Sequence, residues 1–248
     1  MTALKTRPRL HGCFVTGTDT GVGKTRVAAA ILHRLANSGV LAAGFKPVAA
    51  GCRRVGAALI NDDVRELSAA SGVALTHDEV GPYCFEAACA PHIAAELEGR
   101  TIDFDTLVVA AHALARRTDA LVVEGAGGFC VPLGDTHTLA DLAAELALPV
   151  VLVVGLRLGC LNHALLTAEA IRARGLRLAG WVANCVDPGM SRIDANVAAL
   201  RQRLSDRWQV PFLGMIPWLA EPDPATVAAH LDGLPAILRT LHCAERSA

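Results

Sequence analysis

The sequence is poor in aromatic residues and in net charge. Only 4% of its 248 residues are aromatic, and 23 Lys and Arg against 24 Asp and Glu give a formal net charge of −1. It lacks the excess of basic residues that is typical of nucleic-acid-binding domains. Because 52% of the residues are hydrophobic and 19% are charged, the composition excludes an intrinsically disordered chain. The mainly aliphatic apolar residues predict close-packed helices on a β-branched sheet.

The sequence also lacks an apolar segment long enough to cross a membrane. The strongest apolar run, residues 146–156, has about half of the ~20 residues that a membrane-spanning helix needs, and it contains Pro149 and Gly155. Its many valines predict a buried parallel strand instead. No apolar segment follows the basic residues 1–12, so we expect no signal peptide. We therefore predict a cytoplasmic protein with no membrane partner and no nucleic-acid partner.

The eight cysteines lack the spacing of a disulfide framework or a zinc site. No C-x-x-C pair occurs, and no His stands at zinc-ligand spacing from two cysteines. Several of the cysteines lie in apolar segments, where a free cysteine behaves as a small hydrophobic residue. We predict reduced, structural thiols, as expected in a reducing cytosol.

Short β-branched segments alternate with Ala-rich segments along the chain, a pattern typical of βαβ units around a parallel sheet. The predicted strands are residues 13–16, 43–47, 120–124, 150–154, 178–184 and 212–216. The predicted helices are residues 24–37, 62–71, 104–116, 139–146, 161–174, 191–208 and 225–241. Without a repeat or a low-complexity linker, residues 1–248 are expected to form one domain. A mobile loop is predicted at residues 49–58, close behind a strand, where open α/β sheets bind ligands.

A glycine-containing loop joins the first predicted strand to the first predicted helix. Its sequence, G-T-D-T-G-V-G-K-T at residues 17–25, predicts a phosphate-binding loop of the P-loop type. Backbone N–H groups and the helix N-terminus would face an anion, Lys24 would reach the terminal phosphates, and Thr25 would bind Mg²⁺. The fit is imperfect, because Gly17 stands one position further from Lys24 than in the usual motif. The alternative is a glycine-rich turn without a ligand, and G-K-T after an apolar strand disfavours it.

Acidic residues at two places are candidate metal ligands. Glu124 ends a predicted strand and precedes G-A-G-G, so its carboxylate is expected beside the phosphate crevice, as a Walker-B acid is. A solvated charge at the strand end is the alternative interpretation. Asp62 and Asp63 begin a predicted helix, where one would cap the helix and leave the other for a metal.

Seven separated segments, taken in order, resemble the dethiobiotin synthetase family. The loop at 17–25 is followed by G-F-K-P-V at 44–48, A-P-H-I at 90–93, V-E-G-A-G-G at 123–128, L-G-C-L-N-H-A at 158–164, G-W-V-A-N at 180–184 and I-P-W-L-A at 216–220. Such a set is far more specific than a single P-loop. With the βαβ pattern, it predicts a P-loop NTPase-type three-layer α/β sandwich, in which helices flank both faces of a mostly parallel central sheet.

The resemblance implies an ATP- and Mg²⁺-dependent ligase of biotin biosynthesis. Its substrates would be 7,8-diaminononanoate, carbon dioxide or bicarbonate, and ATP. Carbon dioxide adds to one substrate amine as a carbamate, and ATP phosphorylates the carbamate to a carbamic-phosphoric anhydride. The second amine then closes the ring, giving dethiobiotin, ADP and phosphate. A homodimer with shared active sites is also implied.

The resemblance further implies roles for individual residues. Catalytic roles are expected for Lys46, Lys24 and Thr20. Nucleotide and metal binding is expected for Gly21, Val22, Gly23, Lys24, Thr25, Arg26, Asp63, Glu124, Gly125, Ala126, Gly127, Asn184, Cys185, Pro217, Trp218 and Leu219, among which Thr25, Asp63 and Glu124 would hold Mg²⁺. Substrate binding is expected for Thr20, Lys46, Ala50, Gly159, Cys160 and Asn162, the last three across a dimer interface.

Four departures from the family pattern bear on affinity and selectivity. Cys185 follows Asn184 where an acidic residue can occur, and residues 221–224 differ from the usual nucleotide-contacting sequence. Ala50 stands where the family often has Ser or Thr in contact with substrate, and Gly21 stands where some members have an acidic residue. These positions concern substrate affinity and nucleotide selectivity. The residues expected to handle the metal, the phosphates and the carbamate are all present.

Two other functions use a related loop. Amidating synthases of the cobalamin pathway need a glutamine-hydrolysing domain with a nucleophilic Cys, for which this sequence is too short. Partition- or positioning-type ATPase switches usually carry a lysine early in the loop, where this sequence has Asp19. The net charge of −1 also disfavours the basic partner surface of such switches.

Overall fold

The computed structural model of the protein describes residues 9–238. The strands in this part of the chain are β1 (Gly12–Gly17), β2 (Ala42–Phe45), β3 (Val48–Ala49), β4 (Arg53–Val55), β5 (Ala58–Ile60), β6 (Tyr83–Cys84), β7 (Ala120–Gly128), β8 (Val150–Leu156), β9 (Leu178–Cys185) and β10 (Phe212–Ile216). The helices are α1 (Lys24–Asn37), α2 (Asp62–Ala70), α3 (His77–Val80), α4 (Pro91–Leu97), α5 (Phe104–Ala115), α6 (Leu139–Leu146), α7 (Cys160–Ala173), α8 (Ile193–Leu200), α9 (Pro224–Ala229) and α10 (Leu234–Leu238). None of the helices between residues 9 and 238 has the length and apolar character needed to cross a membrane.

Six strands form one parallel sheet in the order β10–β9–β8–β1–β7–β2. After β1 the chain first builds β2 and β7 on one side, and then β8, β9 and β10 on the other. The winding therefore reverses at β1, and the crevice at the carboxyl end of such a strand is where open α/β sheets bind ligands. The glycine-containing loop leaves β1 at this point.

Side chains along the central strands alternate between two apolar clusters. Phe14, Val123 and Leu152 pack with α5, α6 and α7 on one face, whereas Val15 and Val122 pack with α1, α2 and α9 on the other. The alternation follows from the two-residue repeat of a strand, and burial on both faces explains the continuous apolar runs. The predicted three-layer α/β fold is confirmed.

Two predicted helices end differently in the structure. The prediction of one helix over residues 225–241 is wrong, because α9 and α10 are separate and residues 239–241 lie outside the described part. Gly233 breaks the helix, since its N–H donates to the Leu213 carbonyl oxygen at 2.9 Å. A Cβ there would also lie 2.4 Å from the Phe212 carbonyl oxygen. The helix predicted over residues 191–208 begins at Ile193 and continues beyond α8 as the π-helical turn Arg201–Asp206.

The segment after β2 holds most of the elements that the sequence did not predict. β2 ends at Phe45 rather than at residue 47, and the Lys46 N–H donates to the Val80 carbonyl oxygen at 2.8 Å instead of extending the sheet. The predicted loop at residues 49–58 contains β4, which pairs with β5 in a hairpin. β3 pairs with β6 in a second small sheet. Strands of two or three residues are too short to show a periodic pattern.

Candidate active site

The loop between β1 and α1 is fixed by the neighbouring strands. The Thr18 N–H donates to the Val153 carbonyl oxygen on β8 at 3.0 Å, and Asn184 Nδ2 on β9 donates to the Val22 carbonyl oxygen at 2.9 Å. Gly23 has a φ of 87°, and a Cβ at this position would lie 2.2 Å from Asn184 Nδ2. Only glycine therefore fits immediately before α1. The free N–H groups at the start of α1 face the crevice, an arrangement that favours anions.

Lys24, the first residue of α1, folds back over this loop. Its buried Nζ atom donates to the Asp19 carbonyl oxygen at 2.9 Å. Burial lowers the pKa of Lys24 to about 8; Glu124 raises the pKa and Lys46 lowers it further. A bound phosphate would add a further anion and raise this pKa again.

A partly buried charged cluster lies beside the loop, and strand register brings two of its members together. Phe45 and Val123 are partners on β2 and β7, so the next residues, Lys46 and Glu124, emerge side by side. Lys46 Nζ lies 2.6 Å from Glu124 Oε1 and 2.7 Å from Asp63 Oδ2. We refer to Lys46, Asp63 and Glu124, with Thr25, as the charged cluster. Its members come from four separate elements or their ends.

Thr25 joins the charged cluster from the first turn of α1. Its hydroxyl donates to Glu124 Oε1 at 2.8 Å. Burial alone would lower the pKa of Lys46, but Glu124 and Asp63 raise it above its ordinary value. Burial raises the pKa of Asp63, but Lys46 and Thr25 lower it by more. The pKa of Asp63 therefore lies below its ordinary value. Lys46 is therefore a permanent cation beside an ionised Asp63.

The charged cluster has the donor set of a magnesium site. Glu124 Oε2 is buried and has no hydrogen-bond partner among residues 9–238, and burial raises the pKa of this carboxyl. Together with the Thr25 hydroxyl and Asp63, it offers the hard oxygen ligands that Mg²⁺ prefers. Between residues 9 and 238 no group of three or more His, Cys, Asp or Glu could hold a metal by itself. Mg²⁺ often uses one or two carboxylates together with substrate phosphates, and Asp63 and Glu124 would be two such carboxylates.

The start of α2 differs from the sequence prediction in one respect. Neither Asp62 nor Asp63 caps the helix, because Asn61 Oδ1 accepts the Val64 N–H at 3.2 Å. Asp62 is exposed and contacts only Arg53 and Arg65 among charged groups of the described residues. Of these two aspartates, only Asp63 belongs to the charged cluster.

The loop and the charged cluster open into one cavity of about 860 Å³, within the usual range for a small-molecule site. Many residues for which the sequence predicts a catalytic or binding role line this cavity: Thr20, Gly21, Gly23, Lys24, Thr25, Arg26, Lys46, Ala50, Asp63, Glu124, Ala126, Gly127, Asn184, Cys185 and Trp218.

The other expected residues do not line this cavity. Val22 is buried, and Gly125 packs on Phe14, where a Cβ would lie 3.3 Å from the ring. Pro217 and Leu219 flank the lining residue Trp218, and the Leu219 carbonyl oxygen accepts from Arg26 Nη1 at 3.2 Å. The last group is Gly159, Cys160 and Asn162, at the start of α7 and outside the cavity of their own chain.

Sequence reasoning missed several lining residues. Glu66 stands three positions after Asp63 on the same face of α2, a spacing that could have identified it. Burial and the negative charges of Glu124 and Asp63 raise its pKa. Asp19, Ala88, Cys89, Ala90, Pro91, Gly128, Val131 and Val186 line the cavity as well. Most of these come from loops, whose positions the local sequence does not determine.

Comparison with known proteins gives one consistent family. A family model described as an AAA domain matches residues 11–226. A protein of Janthinobacterium sp. (strain Marseille) named ATP-dependent dethiobiotin synthetase BioD is 54% identical over 89% of this chain and 93% of its own length. A relative with the same name from Aromatoleum aromaticum is 51% identical over 91% of this chain and 98% of its own length. Another from Ralstonia nicotianae is 52% identical over 94% of this chain and 100% of its own length.

Among solved structures, a chain of the MinC:MinD cell division protein complex of Aquifex aeolicus matches this protein with a TM-score of 0.53. The match covers 96% of this chain and 100% of that chain. At 15% identity this likeness shows the P-loop NTPase fold alone. By contrast, the three synthetases are 51–54% identical to this chain along nearly their whole length, and this identity shows the family. The chain therefore belongs to the ATP-dependent dethiobiotin synthetases, a family of ligases.

Proposed function

We propose that the protein carboxylates 7,8-diaminononanoate with carbon dioxide and closes the ring to dethiobiotin, converting ATP to ADP and phosphate. The observation that carries the proposal is the buried Lys46 ammonium beside the phosphate loop, within a chain of this family. Two anions, a carbamate and a triphosphate, must be held together in this reaction. The cavity supplies two buried lysines, Lys24 and Lys46, for that purpose.

The phosphate loop binds the triphosphate in this proposal. The N–H groups at the start of α1 and the Lys24 ammonium contact the β- and γ-phosphates. Thr25, Asp63 and Glu124 would hold Mg²⁺, which neutralises phosphate charge and orients the transferred group when bound. Lys24 exchanges the Asp19 carbonyl oxygen for a phosphate oxygen.

Lys46 stabilises the carbamate and the transfer of the phosphoryl group to it. A substrate amine attacks carbon dioxide, loses a proton and becomes a carbamate, whose oxygen attacks the γ-phosphorus and releases ADP. Phosphorylation turns a poor oxide leaving group into phosphate, so the second amine can attack the carbonyl carbon and close the ring. The Lys46 ammonium opposes the negative charge that develops on the carbamate and phosphoryl oxygens.

The adenine base lies at the opposite end of the cavity in this proposal. Asn184 Nδ2 is already bonded to the Val22 carbonyl oxygen, so Oδ1 is the atom that accepts from the purine amino group. Trp218 lies at the rim with 54% of its surface exposed, and its ring would cover one face of the base.

The substrate carboxylate would bind at the N-terminus of α7 of the other subunit in a homodimer. Gly159 and Asn162 lie outside their own cavity, yet they stand at the start of a 14-residue helix. The Cys160 N–H is bonded to the Arg157 carbonyl oxygen, and the next N–H groups of the first turn would favour an anion. Leu158, next to them, is 95% exposed, and Leu166 on α7 is 56% exposed. A second copy packed on this surface would bury both leucines.

The reaction is tested by incubating the protein with Mg-ATP and bicarbonate, with and without 7,8-diaminononanoate. We expect ADP and dethiobiotin in equal amounts, and only when the diamine is present. Omission of bicarbonate should remove both products. ADP release at the same rate without the diamine would contradict the proposed function.

The shared site is tested by mixing two inactive variants, Lys46→Ala and Asn162→Ala. If each site uses Lys46 of one subunit and Asn162 of the other, random reassortment of dimers restores about a quarter of the wild-type sites. No recovery after subunit exchange, or a monomer in sedimentation, would contradict the shared site. Recovery is measured as dethiobiotin formed per total subunit.

A further inference from the structure

Asp19 of the phosphate loop is held by Arg157, which follows β8. The Arg157 guanidinium donates through Nη2 to Asp19 Oδ2. The other carboxylate oxygen, Oδ1, accepts the Thr20 N–H at 2.7 Å, and the Asp19 backbone carbonyl oxygen accepts from Lys24 Nζ at 2.9 Å. One side chain outside the cavity therefore connects to the two loop residues that the proposed reaction uses.

The segment around Arg157 is attached at both ends. On the loop side, the Thr18 N–H donates to the Val153 carbonyl oxygen at 3.0 Å. The Gly155 N–H also donates to Thr18 Oγ1 at 3.4 Å. On the other side, the Arg157 carbonyl oxygen accepts from the N–H of Cys160, the first residue of α7, at 3.0 Å. The segment thus forms a bridge of hydrogen bonds between the phosphate loop and the start of α7.

We propose that Arg157 is a positioning residue that couples nucleotide binding at the phosphate loop to substrate binding at the start of α7. This inference rests on the proposed function, in which the start of α7 in one subunit binds the carboxylate of the substrate held in the neighbouring subunit's cavity. Each ligand then favours the arrangement of the bridge that the other requires. Thermodynamic linkage makes the coupling reciprocal. The factor by which ATP raises the affinity for the diamine equals the factor by which the diamine raises the affinity for ATP.

The exposure of the ion pair argues against a mainly structural role. The Arg157 and Asp19 side chains are 40% and 47% exposed, and such pairs contribute little to folding stability. A second Arg–Asp pair, Arg174 with Asp141, is 39% and 31% exposed and joins α7 to α6. Neither Arg174 nor Asp141 lines the cavity, so this pair is a matched control.

The first measurement is calorimetric binding of a non-hydrolysable ATP analogue with Mg²⁺ to the full chain. We expect Arg157→Met to weaken binding about fivefold, near the upper limit for a half-exposed pair, and Arg174→Met to leave it unchanged. Arg157→Lys should restore most of the affinity. Equal melting temperatures of the two Met variants would exclude a general loss of structure. Unchanged affinity in Arg157→Met would overturn the positioning role.

The second measurement repeats the titration with saturating 7,8-diaminononanoate. Wild type and Arg174→Met should show the same gain in analogue affinity, whereas Arg157→Met should lose most of that gain. Equal gains in all three proteins, or no gain in wild type, would overturn the coupling. If the diamine does not bind to wild type at all, the proposed function and the coupling both fail, while the first titration still decides whether Arg157 positions the loop.

Discussion

The two ends of the cavity are built differently. At the phosphate end, Lys46 and Thr25 bond to Glu124, and Lys46 to Asp63, through contacts of 2.6–2.8 Å between buried or half-buried groups. At the base end, Trp218 is half-exposed on the loop after β10. Arg26 holds that loop through two carbonyl oxygens, those of Leu219 and Ala220, each at 3.2 Å.

This difference separates two kinds of function. Lys46 and Glu124 are both buried and pair with each other, so neither can move away without leaving the other's charge buried. In the proposed reaction the charged cluster is therefore preorganised for the charge that develops. The proposed base end is more exposed, and we expect it to contribute binding that is equal in the ground and transition states. Substitutions at the phosphate end should therefore lower kcat, and those at the base end should raise KM for ATP.

The largest effect is expected for Lys46→Ala. Loss of one preorganised charge-stabilising group typically lowers kcat by about 10²–10³. We expect a fall of that size in dethiobiotin formation under saturating ATP and diamine. Because Lys46 is expected to act on the carbamate and the transferred phosphoryl group, which ADP lacks, ADP affinity, measured by calorimetry, should stay within about threefold of wild type. Turnover within a few-fold of wild type would remove Lys46 from the mechanism.

Asp63→Asn tests the metal at the same end of the cavity. Substitutions around a metal ligand typically cost about 10- to 100-fold in metal affinity, and we expect a loss in this range. The measurement is the Mg²⁺ concentration that gives half-maximal ADP release, together with Mn²⁺ binding followed by paramagnetic resonance. Asp62→Asn, one residue away but exposed, is the matched control and should leave both unchanged. Equal effects of the two substitutions would assign the loss to general electrostatics.

The phosphate end is also the end that the sequence predicts best. The loop at residues 17–25 and the start of α1 at Lys24 follow from local pattern. The sequence also identifies Glu124, although the strand predicted to end there continues in β7 to Gly128. What the sequence could not show is that Lys46 Nζ bonds to both Glu124 and Asp63. That contact depends on β2 pairing with β7, which are far apart in the chain.

The less accurately predicted parts of the fold lie where elements are short or where distant strands constrain the chain. β10, α1 and α6 were predicted with their observed bounds because a clear periodic pattern and recognisable ends coincide. Gly233 was not recognised as a helix break, since its close approach to β10 is a tertiary contact. Glu66 was missed for a similar reason, because its helix face becomes functional only beside the charged cluster.

Asn184→Ala addresses the boundary between the two ends. The substitution removes the bond to the Val22 carbonyl oxygen and the proposed contact with the base, and a lost buried hydrogen bond costs about 1–3 kcal/mol. We expect KM for ATP to rise about tenfold while kcat changes little. Asn196→Ala is the control, because Asn196 Nδ2 makes the same type of bond, to the Arg192 carbonyl oxygen on α8. A fall in kcat equal to that of Lys46→Ala would erase the distinction between the ends.

Trp218→Ala should have the smallest effect and is the sharpest test of the proposed base end. Stacking of a base on an aromatic ring contributes about 1–3 kcal/mol, and the lower value applies to a half-exposed Trp218, so KM for ATP should rise about fivefold. Trp218→Phe, which keeps a ring, should recover most of the loss. If Trp218→Ala instead lowered kcat, the loop after β10 would have to position the phosphates as well as the base. Arg26, which joins that loop to α1 one residue after Thr25, would then be the connection.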